Sequence, residues 1–285
     1  MVRPSPVHPR GQRFPAGHPL QVCWHPVPMG HVHIVRDFPS PQEGFARTVR
    51  VYTPHAYDAM PGHRFPVLYM HDGQNVFAHP ESALFETWCA NLALEHGVGE
   101  GSLEPWLIVA VDSGVGRVHD YSPWNEPRSP MHARGEAYGR FLVEHLKPLV
   151  DRTYRTRPEP QWTGAMGSSL GGLISLYLGC RYPEVFGRIG ALSPTVTWGA
   201  NQLFGAWSAH SRRWTRIYLD AGAHEYTDAS GVPVYYGEST RAFYEHLKHL
   251  GYADHELALV LDPHGGHHER DWQRRLPSAM RWLLG

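Results

Sequence analysis

The run Trp162-Thr163-Gly164-Ala165-Met166-Gly167-Ser168-Ser169-Leu170-Gly171-Gly172 constrains this chain more than any other stretch. It holds Gly-x-Ser-x-Gly as Gly167-Ser168-Ser169-Leu170-Gly171, the spacing of a nucleophile elbow. In that geometry a strand turns sharply into a helix, with the serine at the apex in a strained backbone conformation. Side chains two positions either side would collide, so glycines flank it. The helix that follows turns its free N–H groups and positive dipole end toward the place where an oxyanion would form. The flanks agree: residues 162–166 suit a short buried strand, and LGGLISLYLG over 170–179 has helical apolar spacing. Ser169 is therefore the candidate nucleophile, and Ser168 lies off the apex. The competing reading is a small-residue turn where a helix packs on a sheet, because the pattern also arises by chance. A strand before and a helix after favour the elbow.

Taken in order, residues 1–30 are rich in Pro and Gly and read as an irregular arm. HVHIVRDF (31–38) and RTVRVYT (47–53) alternate and are β-branched, which predicts a leading antiparallel pair. FPVLYM (65–70) and WLIVAV (106–111) are continuous apolar runs suited to strands covered on both faces. Helices are expected over 83–97, 136–150, 170–179 and 238–250, with a last one over 271–284 interrupted near Pro277. Further strands are expected over 189–192, 214–220 and 255–261. Strands alternating with helices imply an α/β architecture, a mostly parallel sheet with helices on both faces. The expected organisation is the arm over 1–30 followed by one catalytic domain over 31–285. Loops after the strands carry the chemistry-bearing residues, as expected at the carboxyl ends of an open α/β sheet.

Composition removes several function classes. A formal net charge of -1 over 285 residues leaves no electrostatic footprint for nucleic acid or an anionic membrane. No segment approaches the ~18 consecutive apolar residues of a membrane span. The N-terminal stretch has no apolar core of a secretory signal, so the expected location is cytoplasmic. Cys23, Cys89 and Cys180 are far apart and odd in number, neither a disulfide framework nor a zinc spacing. The 21 histidines sit mostly singly in loops, a compositional habit rather than a distributed metal site.

A serine hydroxyl is a poor nucleophile until a base takes its proton, and a third group must hold that base. On this topology the chain order is Ser, then Asp or Glu, then His, the last two on loops after late strands. The last strand empties into His264-Gly265-Gly266-His267-His268-Glu269. Glycines before His267 let that loop approach the elbow, so His267 is the favoured base, with His268 and His264 next. A zinc site on these histidines lacks a supporting Cys or carboxylate cluster, so no metal and no cofactor are expected. For the acid, Asp220 stands at a strand end and Glu225 on the loop beyond with more reach; Glu225 is preferred and Asp220 stays open. Ester chemistry also needs two backbone N–H groups for the oxyanion. One is expected from Leu170, the other from the loop beginning His71-Asp72-Gly73-Gln74, where Gly73 is expected to supply a turn angle.

At this point the chain resembles the putative-esterase branch of the α/β-hydrolases, which includes enterochelin-esterase-like proteins, feruloyl and acetylxylan esterases, S-formylglutathione hydrolases and mycolyltransferases. The resemblance runs from about residue 31 onward. It is carried by RTVRVYTP (47–54), PVLYMHDGQNVF (66–77), GSSLGG (167–172), YPEVF (182–186), LSP (192–194), DAGAHE (220–225) and HHERDW (267–272). It implies the α/β-hydrolase fold, with a leading antiparallel pair and helices on both faces. By resemblance Ser169 matches the nucleophile, His267, first in His-x-Glu-x-x-Trp, the base, and Glu225 the acid. Leu170 and Gln74 match the oxyanion donors. Arg117 and Tyr121 match Arg-x-x-Asp/Glu-Tyr and are expected to brace their loop.

The resulting expectation is a serine carboxylic-ester hydrolase acting through an acyl-enzyme on a small acyl or aryl ester. An acyltransferase using the same acyl-enzyme, or a catalytically silent carbohydrate or siderophore binder, are the competing functions. Asp72, Phe77, Tyr121, Trp124 and Trp198, with Trp88, are candidates for the substrate pocket, each equally fit for core or rim. Partners are limited to a small-molecule ester, with no nucleic acid and no membrane, and the oligomeric state is left open.

Overall fold

A computed structural model describes residues 27–82, 86–127, 129–209, 214–223, 225 and 235–285. The arm expected over 1–30, with Cys23, therefore lies almost wholly outside the described residues. Among the described residues, eight strands form one sheet: β1 His31–Ser40, β2 Phe45–Thr53, β3 Val67–His71, β4 Leu107–Val111, β5 Thr163–Ser168, β6 Arg188–Leu192, β7 Arg216–Gly222 and β8 Leu257–Asp262. Their order is β1-β2-β4-β3-β5-β6-β7-β8. β1 and β2 pair antiparallel, β2 meets β4 antiparallel, and every later neighbour is parallel. The alternating β-branched segments thus form the leading pair, and the continuous apolar runs form the covered interior of the sheet.

The helices are α1 His55–Ala59, α2 Ala90–Gly99, α3 Arg117–Asp120, α4 Gly135–Arg140, α5 Lys147–Thr153, α6 Leu170–Arg181, α7 Trp198–Ala209, α8 Tyr236–His249 and α9 Glu269–Leu284. Among the described residues, none is long and apolar enough to cross a membrane. Two apolar clusters lie on the two faces of the sheet. One gathers Val49, Val51, Tyr69, Val109 and Ile189 against α6 and α8. The other gathers Tyr52, Leu68, Met70, Ile108 and Tyr218 against α2 and α9. Alternate residues of single strands fall in opposite clusters, as a sheet buried on both faces demands.

Four local differences separate the structure from the sequence reading. Of the helix expected over 83–97, residues 83–85 lie outside the described residues; from 86 onward it starts only at Ala90, because Cys89 takes a left-handed angle (φ 51) and Trp88 donates its N–H to the Asn75 carbonyl at 2.7 Å. Helix α7 was not expected; Gly199, Ala200 and Asn201 take left-handed angles at its start. Helix α9 runs through Pro277 without the expected interruption, with Leu276, Ala279, Met280 and Leu283 buried on the sheet side. The single missing N–H of proline is outweighed there by burial of that apolar face. The segment expected as one helix over 136–150 is α4 and α5 joined by a π-helical turn, Phe141–Leu146.

Candidate active site

Strand β5 ends at Ser168, and Ser169 takes φ 56 and ψ -122 before α6 begins at Leu170. That conformation costs on the order of 1–3 kcal/mol for a non-glycine residue. It is held by the Ser169 N–H, which donates to the Leu192 carbonyl at 3.0 Å, and by Thr195 N–H donating to the Ser169 carbonyl at 3.2 Å. A Cβ on Gly167 would stand 2.7 Å from the Gly171 carbonyl group and 2.9 Å from the His71 ring, so the close approach needs glycine there. Ser168 is 3% exposed. The Ser169 hydroxyl is half-buried and lies 3.4 Å from the Thr195 hydroxyl.

Ser169, His267 and Glu225 follow the carboxyl ends of β5, β8 and β7 respectively. Ser169 and His267 line one cleft of about 370 Å³ together with Asp72, Gln74, Trp88, Arg117, Glu269 and Trp272. The His267 Nδ1 lies 3.3 Å from Glu225 Oε2. Glu225 is 2% exposed, and its other oxygen, Oε1, accepts from the Gly222 N–H at 2.8 Å and the Ser193 hydroxyl at 2.7 Å. The His267 ring lies against Tyr236, centroids 4.3 Å apart, and edge-on to Trp272 at 4.9 Å. His264 and His268 are exposed. Among the described residues, no three His, Cys, Asp or Glu side chains gather as a metal-holding group.

Asp220, the alternative acid, is fully buried and pairs instead with Arg275 at 3.2 Å. Burial pushes its carboxyl up to about 6, against the opposing pull of Arg275. Asp262 pairs with Arg274 and accepts the His264 N–H at 3.0 Å. Glu269 stands on the cleft wall; burial raises its carboxyl above the usual range, and neighbouring Glu86 and Asp72 add to the rise.

The second oxyanion position lies on the loop after β3. Leu170 is the first residue of α6, and Gln74 sits inside the short turn Gly73–Asn75, so neither N–H has a helical partner. Here the left-handed angle belongs to Asp72 (φ 57), not to Gly73 as the sequence suggested. Glycine at 73 is required by proximity: a Cβ would meet Asp112 Oδ1 at 2.6 Å and the Val111 carbonyl carbon at 2.8 Å. Asp72 is fixed by Arg117, which donates from Nε at 2.7 Å and Nη2 at 2.8 Å, and its own N–H donates to the Tyr121 hydroxyl at 2.9 Å. The Gln74 amide is clasped by Ser113, with Nε2 donating to Oγ at 2.9 Å and Oε1 accepting the Ser113 N–H at 3.0 Å. Under this loop His71 is buried and shares a hydrogen bond with the Tyr138 hydroxyl at 2.8 Å. Burial drops its pKa to about 3, so its ring is neutral at ordinary pH.

Of the expected pocket residues, Asp72 lines the cleft. Phe77 and Tyr121 are fully buried. Trp124 packs edge-on to Tyr177 at 5.6 Å and lines a separate small hollow with Trp198. Trp88, also among the candidates, lines the cleft and shares its aromatic wall with Trp272, which was not. Sequence reading gave no role to Ser193, Trp272, Arg275 or Tyr236. The first two stand in segments already singled out, LSP and HHERDW, whereas nothing local marks Arg275 or Tyr236.

The chain has relatives among known proteins. The chain is 25% identical over 247 residues to the uncharacterized protein YbbA of Bacillus subtilis (strain 168), covering 84% of this chain and 93% of that protein. It is 25% identical to the iron(III) enterobactin esterase of Dickeya dadantii (strain 3937) over 96% of this chain, but spans only 62% of that protein. A solved ferulic acid esterase from Anaeromyces mucronatus, in complex with ferulic acid, superposes with TM-score 0.68 at 16% identity, covering 92% of this chain and 93% of that one. That likeness shows the α/β-hydrolase fold. The model of the family described as "Putative esterase" matches residues 40–283, and the chain belongs to that Esterase family.

Proposed function

We propose that the protein is a serine carboxylic-ester hydrolase working through an acyl-enzyme. The observation that carries this reading is a strained serine and an imidazole facing one cleft, with the far side of that imidazole bonded to a buried carboxylate. Ser169 Oγ attacks the ester carbonyl while His267 Nε2 takes its proton, and Glu225 fixes the tautomer and stabilises the imidazolium that forms. The N–H groups of Leu170 and Gln74 receive the developing oxyanion, each worth roughly 3–4 kcal/mol in such sites. His267 then returns the proton to the leaving alcohol, and water activated by the same ring releases the acid. A cleft of about 370 Å³ with tryptophan in its wall suits a small acyl or aryl ester. A solved neighbour named a ferulic acid esterase supports an aryl acid as the acyl part.

The test is Ser169→Ala assayed on a panel of aryl and alkyl esters. Turnover should fall by on the order of a millionfold with the fold intact, while Ser168→Ala costs far less. A serine-directed organophosphonate should label the peptide carrying Ser169. An active Ser169→Ala beside a dead Ser168→Ala would overturn the register of the elbow. Product analysis with an added alcohol separates release to water from transfer to the alcohol.

A further inference from the structure

The hydroxyl of Ser193 is completely enclosed and meets three groups. Trp272 Nε1 lies at 3.0 Å, Arg275 Nη2 at 2.8 Å and Glu225 Oε1 at 2.7 Å. An indole N–H and a guanidinium can only donate, whereas a hydroxyl has two lone pairs and one proton. Both lone pairs are therefore filled by obligatory donors, and the single Ser193 proton has one place left to go, the carboxylate of Glu225. The polarity of the circuit is fixed by its members rather than by choice of rotamer.

The same members reach the cleft. Trp272 lines it and stands edge-on to His267, while its N–H is tied to Ser193. Arg275, on the same helix α9, lies 3.4 Å from Glu225 Oε1 and 3.2 Å from Asp220. Ser193 itself has φ 44 and is pinned by its N–H donating to the Asp220 carbonyl at 2.8 Å. With Oε1 of Glu225 held by Ser193 and Gly222, its Oε2 is the oxygen left to His267.

We infer that Ser193, oriented by Trp272 and Arg275, is a positioning residue that holds Glu225 in the one orientation that aligns His267 for proton transfer. This rests on the proposed hydrolase reading for its kinetic consequence, not for its geometry. Small misplacements of a catalytic group cost up to about 100-fold in rate. Ser193→Ala should accordingly lower kcat by roughly 10- to 100-fold with KM changed less than about twofold. In a Glu225→Gln background the same change should cost less than about threefold further, since residues acting through one another are not additive. Trp272→Phe keeps an aromatic side chain, though a smaller one, but removes the N–H and should show a smaller loss with the same non-additivity; it serves if Ser193→Ala does not fold.

A second readout needs no turnover. The downfield imidazole proton of His267 hydrogen-bonded to Glu225, assigned by its loss in His267→Gln, should move upfield in Ser193→Ala and in Trp272→Phe. An unmoved resonance, or a kcat loss that adds in full to that of Glu225→Gln, would overturn the inference. An enzyme without ester hydrolysis, or one indifferent to Ser169→Ala, would instead sink the proposed function and leave the resonance to decide this point.

Discussion

On the β7–β8 side of the cleft, Glu225 and Arg275 are almost fully enclosed, and the carboxylate oxygen turned away from His267 already has its donors. On the β3–β4 side, Asp72 is held by one bidentate ion pair whose arginine side chain keeps 31% of its exposure, and Gln74 by a clasp with Ser113. The acid thus sits in a low-dielectric enclosure with both of its oxygens engaged, and the oxyanion loop hangs from contacts that water and salt can reach. Buried networks are rigid when satisfied and fail sharply when one member is removed. Half-exposed pairs are worth less and fail gradually. The half of the site that moves protons is the stiffer one.

That contrast can be broken by substitution. Glu225→Gln should have the largest effect, depressing turnover about 10⁴-fold with substrate binding little changed, as loss of the orienting acid does elsewhere; a modest loss would mean His267 is held by something else. Asp72→Asn should come next. Asparagine tolerates the left-handed angle of Asp72 but loses the Arg117 pair, so the Gln74 N–H drifts rather than disappears. A loss of about 10- to 100-fold in kcat, short of the 10²–10³ for deleting an oxyanion donor, is expected from steady-state kinetics. A loss equal to that of Glu225→Gln would erase the difference between the two sides.

Tyr236→Leu should cost less again, about 2- to 10-fold in kcat, the worth of one ring contact on His267. Asp220→Asn should affect rate least and stability visibly. The Asp220 carboxyl is raised to about 6 by burial, from an ordinary 3.8. A native state that holds the proton more tightly than the unfolded chain is favoured at low pH, and that advantage is lost as pH rises through 6. Asparagine mimics the protonated form, so melting curves of Asp220→Asn should improve relative to wild type between about pH 4 and 7. A constant difference across that range would mean the group does not titrate there.

Much of the fold was legible because strand runs, turn residues and the elbow are local signals. FPVLYM, WLIVAV and the elbow segment each became strands within two residues of expectation. The loops bearing Ser169, Glu225 and His267 could be located for the same reason, since each follows such a strand. What escaped depends on contacts distant in sequence. Ser193 meets Trp272 across 79 positions and Arg275 across 82, and no window holds both ends. Among the aromatic candidates Trp88 lines the cleft, but a loop aromatic turns into whichever apolar face is nearer, and Phe77 and Tyr121 went inward. The reassignment of strain from Gly73 to Asp72 shows the limit of composition, since glycine was needed there for space rather than angle.

His71 has a consequence for how the molecule meets acid. Its ring stays neutral in the folded protein down to about 3, whereas in the unfolded chain it takes a proton near 6.5. Below that upper value the unfolded chain binds the extra proton, so the contribution of His71 to stability declines as pH falls through the same interval in which Asp220 contributes more. Between roughly pH 4 and 6 the two buried groups therefore push the folding equilibrium in opposite directions and flatten its response to acid. His71 ends β3 and Asp220 lies in the last half of β7, one beneath each side of the cleft, as a compensating pair of proton-linked weights.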